Sequence, residues 1–256
     1  DIHLGTEACD EQKLDQTIDK IGSTPQCYWL FTGDGCEYIN RSDPRFSVGT
    51  LAHWIKISDL DDLANVQRKR LEKKLRPIIK TCMGFMKGNH EAMIQKYYEN
   101  NIHKMVCENL NIRDLTSAVF MNIFFRPEAG SSAYLVKLVA QHPRCGLGGQ
   151  VGGKINKAIR HLHNFDADIF ALPHFHQKNK TEVAVIGSTD SINPSSKELC
   201  KMTIQCGSYL RTYSKGISTY GEDAMYDPVP LGSPYIDIWQ ERQIEGKRDF
   251  FETRME

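Results

Sequence analysis

Lys87-Gly88-Asn89-His90-Glu91 is the stretch that decides how this chain reads. It follows a short apolar run, Met83-Gly84-Phe85-Met86, and precedes a charged, helix-favouring one. That succession predicts a strand, a tight turn and a helix, with the glycine sparing the turn a side-chain clash. Asn89 offers an amide oxygen as a neutral metal ligand or hydrogen-bond acceptor, and His90 can carry a proton near neutral pH. Alone, a loop Asn-His is an ordinary turn with a solvated histidine, so its meaning depends on what the rest of the chain brings to it.

Upstream, residues 27–32 form an apolar, β-favouring run that ends in Gly33-Asp34-Gly35-Cys36-Glu37. An acidic residue just past a buried strand sits at the carboxyl edge of a sheet, where α/β proteins place their chemistry. Further upstream, Asp1-Ile2-His3-Leu4-Gly5 sets an aspartate and a histidine two residues apart. At the end of a strand, period two would point both the same way. No strand precedes Asp1, so the sequence is expected to begin one strand late, with a charged amino group beside the site. Downstream, residues 119–126 and 133–140 read as two antiparallel strands, the second leading into His142-Pro143-Arg144 and a glycine-rich run over 145–149. A short strand over 168–172 ends in Pro173-His174-Phe175-His176, a second His-x-His in extended or turn geometry. His161 and His163 lie two apart on a predicted helix, hence on different faces, and form no pair.

Between these motifs, apolar periodicity predicts helices over 10–21, 60–76, 91–100, 104–110 and 154–164. Strands are predicted over 78–86, 182–187, 202–210 and 234–239, and the Ser- and Tyr-rich run 208–220 is placed to line a groove. With 256 residues the chain is long enough for one large domain. No repeats or linkers divide it, so residues 1–256 are read as a single domain. Formal net charge is zero, which removes any global pull toward nucleic acid or anionic membrane. One helix face carries Arg68, Lys69, Arg70, Lys73, Lys74 and Arg76, which could touch a phosphate backbone but reads better as a solvated face. Eight cysteines without a Cys-x-x-Cys pair fit reduced thiols in a cytoplasmic compartment, and no apolar run is long enough to span a bilayer.

Taken together, Asp-x-His, Gly-Asp, Gly-Asn-His-Glu, a histidine before a glycine loop, and His-x-His each follow a predicted strand. This ordered set resembles the calcineurin-like metallophosphoesterase family over residues 1–176. The stretch from Gly207 through Tyr220 to Gly232-Ser233-Pro234 is similar, more loosely, to the tail of members common in phages and prokaryotes. The resemblance implies an α/β (α+β) fold, a four-layer α/β/β/α sandwich of two mixed sheets flanked by helices. It implies two divalent ions, Mn2+ first, with Fe, Zn or Mg as the other candidates. Asp1, His3 and His176 would hold one ion, Asn89, His142 and His174 the other, and Asp34 would bridge both. A shared carboxylate offsets the repulsion of two cations about 3.5–4 Å apart. The implied activity is phosphoester hydrolysis by in-line attack of a metal-bridging hydroxide. His90 would act as acid toward the leaving group, and Asn89, His90 and Arg144 would contact the phosphoester. A phosphodiesterase or nuclease is set slightly ahead of a phosphomonoesterase, with nucleic acid a candidate substrate and no membrane partner. Glu37, Pro143 and Pro173 stand where the family usually has aspartate, glycine and glycine. The alternative from a different class is a metal-binding scaffold or interaction protein that keeps the fold without the activity.

Overall fold

Two parallel strands and the helices packed on them occupy the first half of the chain. In the computed structural model, residues 1–125, 134–144, 151–188, 192–217, 219–223 and 225–238 are described. Helix α1 (Glu11–Ser23) begins at Asp10, whose carboxylate accepts the Lys13 N–H at 2.9 Å, satisfying one of the donors a helix start leaves open. Leu14 and Ile18 are its buried face. Strand β1 (Trp29–Phe31), helix α2 (Leu63–Leu75), strand β2 (Cys82–Phe85), and helices α3 (Asn89–Tyr98) and α4 (Ile102–Leu110) follow, with β1 and β2 pairing in parallel.

A five-stranded mixed sheet forms the second half. Its strands are β3 (Ala118–Phe125), β4 (Tyr134–Gln141), β5 (Ile169–Leu172), β6 (Lys178–Ser188) and β7 (Ser196–Cys206), in the order β3-β4-β5-β7-β6. The two outer pairs are antiparallel, while β4, β5 and β7 run parallel. Helix α5 (Val151–Asn164) makes the crossover from β4 to β5 that a parallel pair needs. The general α/β class expected from the sequence is therefore present as a mixed α+β structure.

Local differences from the sequence expectations have physical causes. The predicted strand over 78–86 is divided: Arg76–Thr81 is a 3-10 helix, and only Cys82–Phe85 is extended. Pro77 suits the first turn of a helix because it has no N–H to leave unsatisfied. The predicted strand over 202–210 stops at Cys206. Gly207 adopts φ +74°, and a side chain there would lie 2.1 Å from the Gly232 carbonyl oxygen. Residues 233–238 form no strand. The glycine-rich run 145–149 lies outside the described residues.

Three apolar clusters follow the pleat of the strands. Phe31 and Phe85, stacked at 4.4 Å between ring centroids, join Leu14, Leu71, Ile94 and Val106 from α1–α4. Their neighbours in sequence, Leu30 and Met86, join Val136, Leu138, Ile169 and Ile204 of the five-stranded sheet. The other face of that sheet, with Val139, Phe170 and Leu172, packs on Ala158 and Leu162 of α5. Alternate residues of one strand thus feed different cores.

The opening residues lie between two later segments. Ile2 and His3 donate their N–H groups to the Asp34 carbonyl at 2.8 and 3.0 Å, and Leu4 donates to Gly35 at 3.0 Å. On the other side Tyr209 N–H and the Ser208 hydroxyl donate to the Asp1 carbonyl at 3.0 and 2.9 Å. Half of the cations on the basic face of α2 are engaged within the molecule. Buried Arg68 pairs with Glu72, Arg70 with Glu11, and Lys74 with both Glu11 and Asp15. The reading of that face as solvated therefore holds for Lys69, Lys73 and Arg76, which are exposed, and not for the other three.

Candidate metal centre

Two glycines let the loops after β1 and β2 touch backbone to backbone. Gly33 has φ +99°, and a side chain on it would meet the Gly88 nitrogen at 2.6 Å. One on Gly88 would meet Asp34 Oδ1 at 2.1 Å. Glu91, buried one turn into α3, locks the contact. Its Oε2 accepts the N–H groups of Asp34 (3.1 Å) and Gly88 (3.0 Å), and its Oε1 accepts that of Gly35 (2.8 Å). The His90 N–H at the start of α3 donates to Asp34 Oδ1 at 2.9 Å. Asp34 and Asn89 are thereby set side by side.

His142, at the end of β4, reaches the same point. Its Nδ1 lies 2.7 Å from the Thr32 carbonyl, which can only accept, so Nδ1 carries the hydrogen. Its Nε2 is the ring atom turned inward, 3.0 Å from Asn89 Oδ1 and 3.2 Å from Asp34 Oδ2. A ring nitrogen and two side-chain oxygens therefore converge on one point. Ligand atoms of Asp1, Asp34, His142 and His174 all lie within 4.8 Å of one another.

A second convergence adjoins the first. His3 gives its Nδ1–H to Glu37 Oε2 at 2.8 Å and turns Nε2 toward His176 Nε2 at 3.1 Å. Asp1 Oδ1 lies 3.8 Å from His176 Nε2, while Asp1 Oδ2 accepts the His174 N–H at 2.9 Å. Asp1 Oδ1, Asp34 Oδ2 and His174 Nδ1 are buried without a hydrogen-bond partner. Polar atoms in that condition are costly unless something else satisfies them. Burial, reinforced by His142, lowers the His174 pKa to about 4, and burial with His3 lowers that of His176 well below the usual range. Both rings are neutral at neutral pH, as metal ligands must be. Burial works against the Asp34 anion, but His90, His142 and His3 together hold its pKa well below normal.

The backbone explains how the ligands meet. His3, Asp34, His174 and His176 have φ of 57°, 51°, 79° and 55°, four of the ten described non-glycine residues in this region. Left-handed backbone costs about 1–3 kcal/mol per residue and gathers at functional sites. This corrects the expectation that the Asp1–His3 pair converges through the pleat of a strand. His174 and His176 do lie in a turn, and they serve different convergences.

His90 stands at the edge of both groups. Its Nδ1 donates to the Glu37 carbonyl at 2.5 Å, its ring meets that of His3 edge-on at 4.8 Å, and a ring nitrogen lies within 4.8 Å of ligand atoms of His3 and Asp34. Burial disfavours its cation, but Asp34 and Glu37 outweigh burial and raise its pKa. All seven residues predicted as ligands, and His90, are therefore brought together. Arg144 is not: it is exposed, on the turn after His142. Sequence reasoning missed Glu91 and Ser208 as supports. Glu91 was in plain view in the motif, whereas nothing in the sequence linked Ser208 to Asp1. Another potential ligand group, His103, Cys107 and Asp114, is accounted for as a tether, with His103 Nε2 3.0 Å from Asp114 Oδ1 and burial pushing the Cys107 thiol up to about 12.

No family model matches the chain, and comparisons with curated proteins and with solved structures give no match either. Among the described residues no helix is long and apolar enough to cross a membrane.

Proposed function

We propose that the protein is a metal-dependent phosphoester hydrolase, with phosphodiesters ahead of phosphomonoesters as substrates. The observation that carries this reading is the convergence of His142 Nε2, Asn89 Oδ1 and Asp34 Oδ2 beside the buried, partnerless Asp1 Oδ1 and His174 Nδ1. Cations would satisfy all of them. Asp1, His3 and His176 would hold one ion, Asn89, His142 and His174 the other, and Asp34 both. Imidazole nitrogens with carboxylate and amide oxygens suit Mn, Fe or Zn, admit Mg, and are poor for calcium. Once bound, such ions supply Lewis acidity toward phosphoryl oxygens and lower the pKa of water.

The chain's own residues position and protonate. Glu91 fixes the two loops that present Asp34 and Asn89. His90, anchored through Nδ1 to Glu37, has Nε2 to give a proton to the leaving oxygen, a contribution of roughly 10²–10⁴ in rate. The three apolar clusters also support the finer fold reading, a four-layer α/β/β/α sandwich, since helices, a strand pair, a sheet and a helix follow one another across them. The internal pairing of Arg68, Arg70 and Lys74, which halves the cations that face could offer a phosphate backbone, favours small phosphoesters over long nucleic acid.

Elemental analysis after Mn2+ loading, alongside turnover of bis-p-nitrophenyl phosphate, p-nitrophenyl phosphate and single-stranded DNA, tests the reading. Two ions per chain and Mn2+-dependent turnover lost in Asp34→Asn are expected. A chain that binds no metal and turns over none of the three would overturn it, and bound metal without turnover would move the protein to the scaffold class.

A further inference from the structure

The residues at the mouth of the metal centre continue into a groove of about 510 Å³. One wall is residues 37–45 and the other is α3, and Asn89 and His90 line both the groove and the centre. Along α3 the lining residues recur at helical spacing. Asn89, Met93 and Tyr97 form one row, and His90, Ile94 and Tyr98 form the next. At 1.5 Å rise per residue, Tyr97 lies about 12 Å along the axis from Asn89. The far end of the groove is therefore about a nucleoside's reach from the proton on His90.

The far end of the groove carries large aromatic and apolar side chains. Tyr97 is 58% exposed, Tyr98 44% and Met93 41%, an unusual grouping of large side chains in water. Tyr98 is fixed as a wall by its hydroxyl, which donates to Asn40 Oδ1 at 2.9 Å. Tyr97 has the Lys96 ammonium 4.9 Å from its ring centroid. The groove offers little to a second phosphate. Arg45 is held bidentately by Asp43 at 3.0 and 2.8 Å, and Glu37 adds another carboxylate to the lining. An uncharged, aromatic group fits this lining better than a polyphosphate does.

We propose that this groove binds the leaving group of the phosphoester, and that the leaving group is a nucleoside whose base stacks on Tyr97. This rests on the phosphoester reading above. In the step, a water oxygen bonds to phosphorus and the bond from phosphorus to the nucleoside oxygen breaks. The leaving oxygen takes a proton from His90, which water later restores. Stacking of a base on an aromatic side chain is sequence-tolerant, because every base has a flat face. The groove therefore selects nucleosides as a class.

The test compares adenosine 5′-(methyl phosphate) with the methyl phosphate ester of glycerol, both with Mn2+, in the wild type, Tyr97→Ala and Tyr97→Phe. The ratio of kcat/KM for the adenosine ester to that for the glycerol ester is expected to fall about 10- to 100-fold in Tyr97→Ala, through KM, and to be retained in Tyr97→Phe. An unchanged ratio in Tyr97→Ala overturns the groove assignment while the hydrolase stands. If the wild type hydrolyses neither ester, turnover of bis-p-nitrophenyl phosphate and p-nitrophenyl phosphate judges the phosphoester reading, and equilibrium dialysis of adenosine judges the groove. Saturable binding weakened at least tenfold in Tyr97→Ala supports a nucleoside site, and no saturable binding overturns it.

Discussion

Replacing Glu91 with glutamine should destabilise the protein and loosen its hold on metal together. The carboxylate accepts three buried backbone N–H groups, two through Oε2 and one through Oε1. The amide of glutamine presents one oxygen where there were two, so an NH2 group faces either the Gly35 N–H or the Asp34 and Gly88 N–H groups, and at least one donor loses its acceptor. A buried donor left unsatisfied costs about 1–3 kcal/mol, and hydrogen bonds to a charged acceptor are the stronger kind. We expect Glu91→Gln to lower stability by about 1–3 kcal/mol. Glu91→Ala, which orphans all three donors, should cost on the order of 3–6 kcal/mol, a large part of the roughly 5–15 kcal/mol typical of a folded protein. Because two of the donors belong to Asp34 and to the residue preceding Asn89, metal affinity should fall with stability, by about 10- to 100-fold. Urea unfolding of the metal-free protein and a metal titration measure the two effects. If Glu91→Gln unfolds within 0.5 kcal/mol of the wild type, as surface substitutions usually do, Glu91 does not hold the loops.

His90→Ala should keep both metals and lose about 10²–10⁴ in turnover, and loss of metal comparable to that in His142→Ala would contradict its role as acid. Gly88→Ala drives a methyl group to 2.1 Å from Asp34 Oδ1 and 2.3 Å from Asp34 N, so the two loops must part. Thermal unfolding should show a marked loss of stability and of any Mn2+-induced rise in Tm, and an unchanged Mn2+ response would refute the close-contact argument. Mn2+ at 1,000 times its Kd should stabilise the wild type by about 4 kcal/mol, and Asp34→Asn should abolish most of that gain in calorimetry. The carboxyl of Glu11 is partly buried, which opposes its anion, but hydrogen bonds from Arg70 and Trp54 hold its pKa below the usual value of 4.5. Between the folded and unfolded pKa the unfolded chain binds more protons, so this stabilisation is present above about pH 4.5 and lost as pH falls through the depressed value. With solvent screening it amounts to no more than about 1 kcal/mol. The stability gap between wild type and Glu11→Gln, read by denaturant unfolding, should shrink on acidification, and a gap that widens would refute the assignment.

Much of the site was legible because its ligands are side chains clustered after apolar runs. Gly88-Asn89-His90-Glu91 and His174-Phe175-His176 could be singled out by residue type alone. The supports are largely backbone atoms and could not. The Thr32 carbonyl fixes the tautomer of His142, and the Glu37 carbonyl anchors His90. No residue identity encodes a carbonyl's direction. The left-handed backbone at His3 and His176 escaped for a related reason, since histidine carries only a mild preference for that region and tertiary contacts impose it. The same limit applies to the fold. Residues 78–81 are apolar enough for a strand, but Pro77 and the Trp29 indole, which donates to the Ile78 carbonyl at 2.9 Å, make them a 3-10 turn. The basic run on α2 looked like a surface because sequence shows charge without its partners, and Glu11 and Asp15 lie on another helix.

The contact between Gly33 and Gly88 separates two tasks that are often bound together. With the Glu91 carboxylate it sets the spacing of Asp34 and Asn89, near the two ends of a long excursion of chain. Residues 37–45, within that excursion, form one wall of the groove beside His90. Loop length changes cost little entropy once the ends are fixed. Beyond Glu37, which holds His3 and His90, that wall can therefore be lengthened, shortened or recomposed while the metal spacing stays as it is. Substrate choice and metal geometry are modular here, and libraries confined to residues 39–45 are the economical place to redirect the protein toward a different ester.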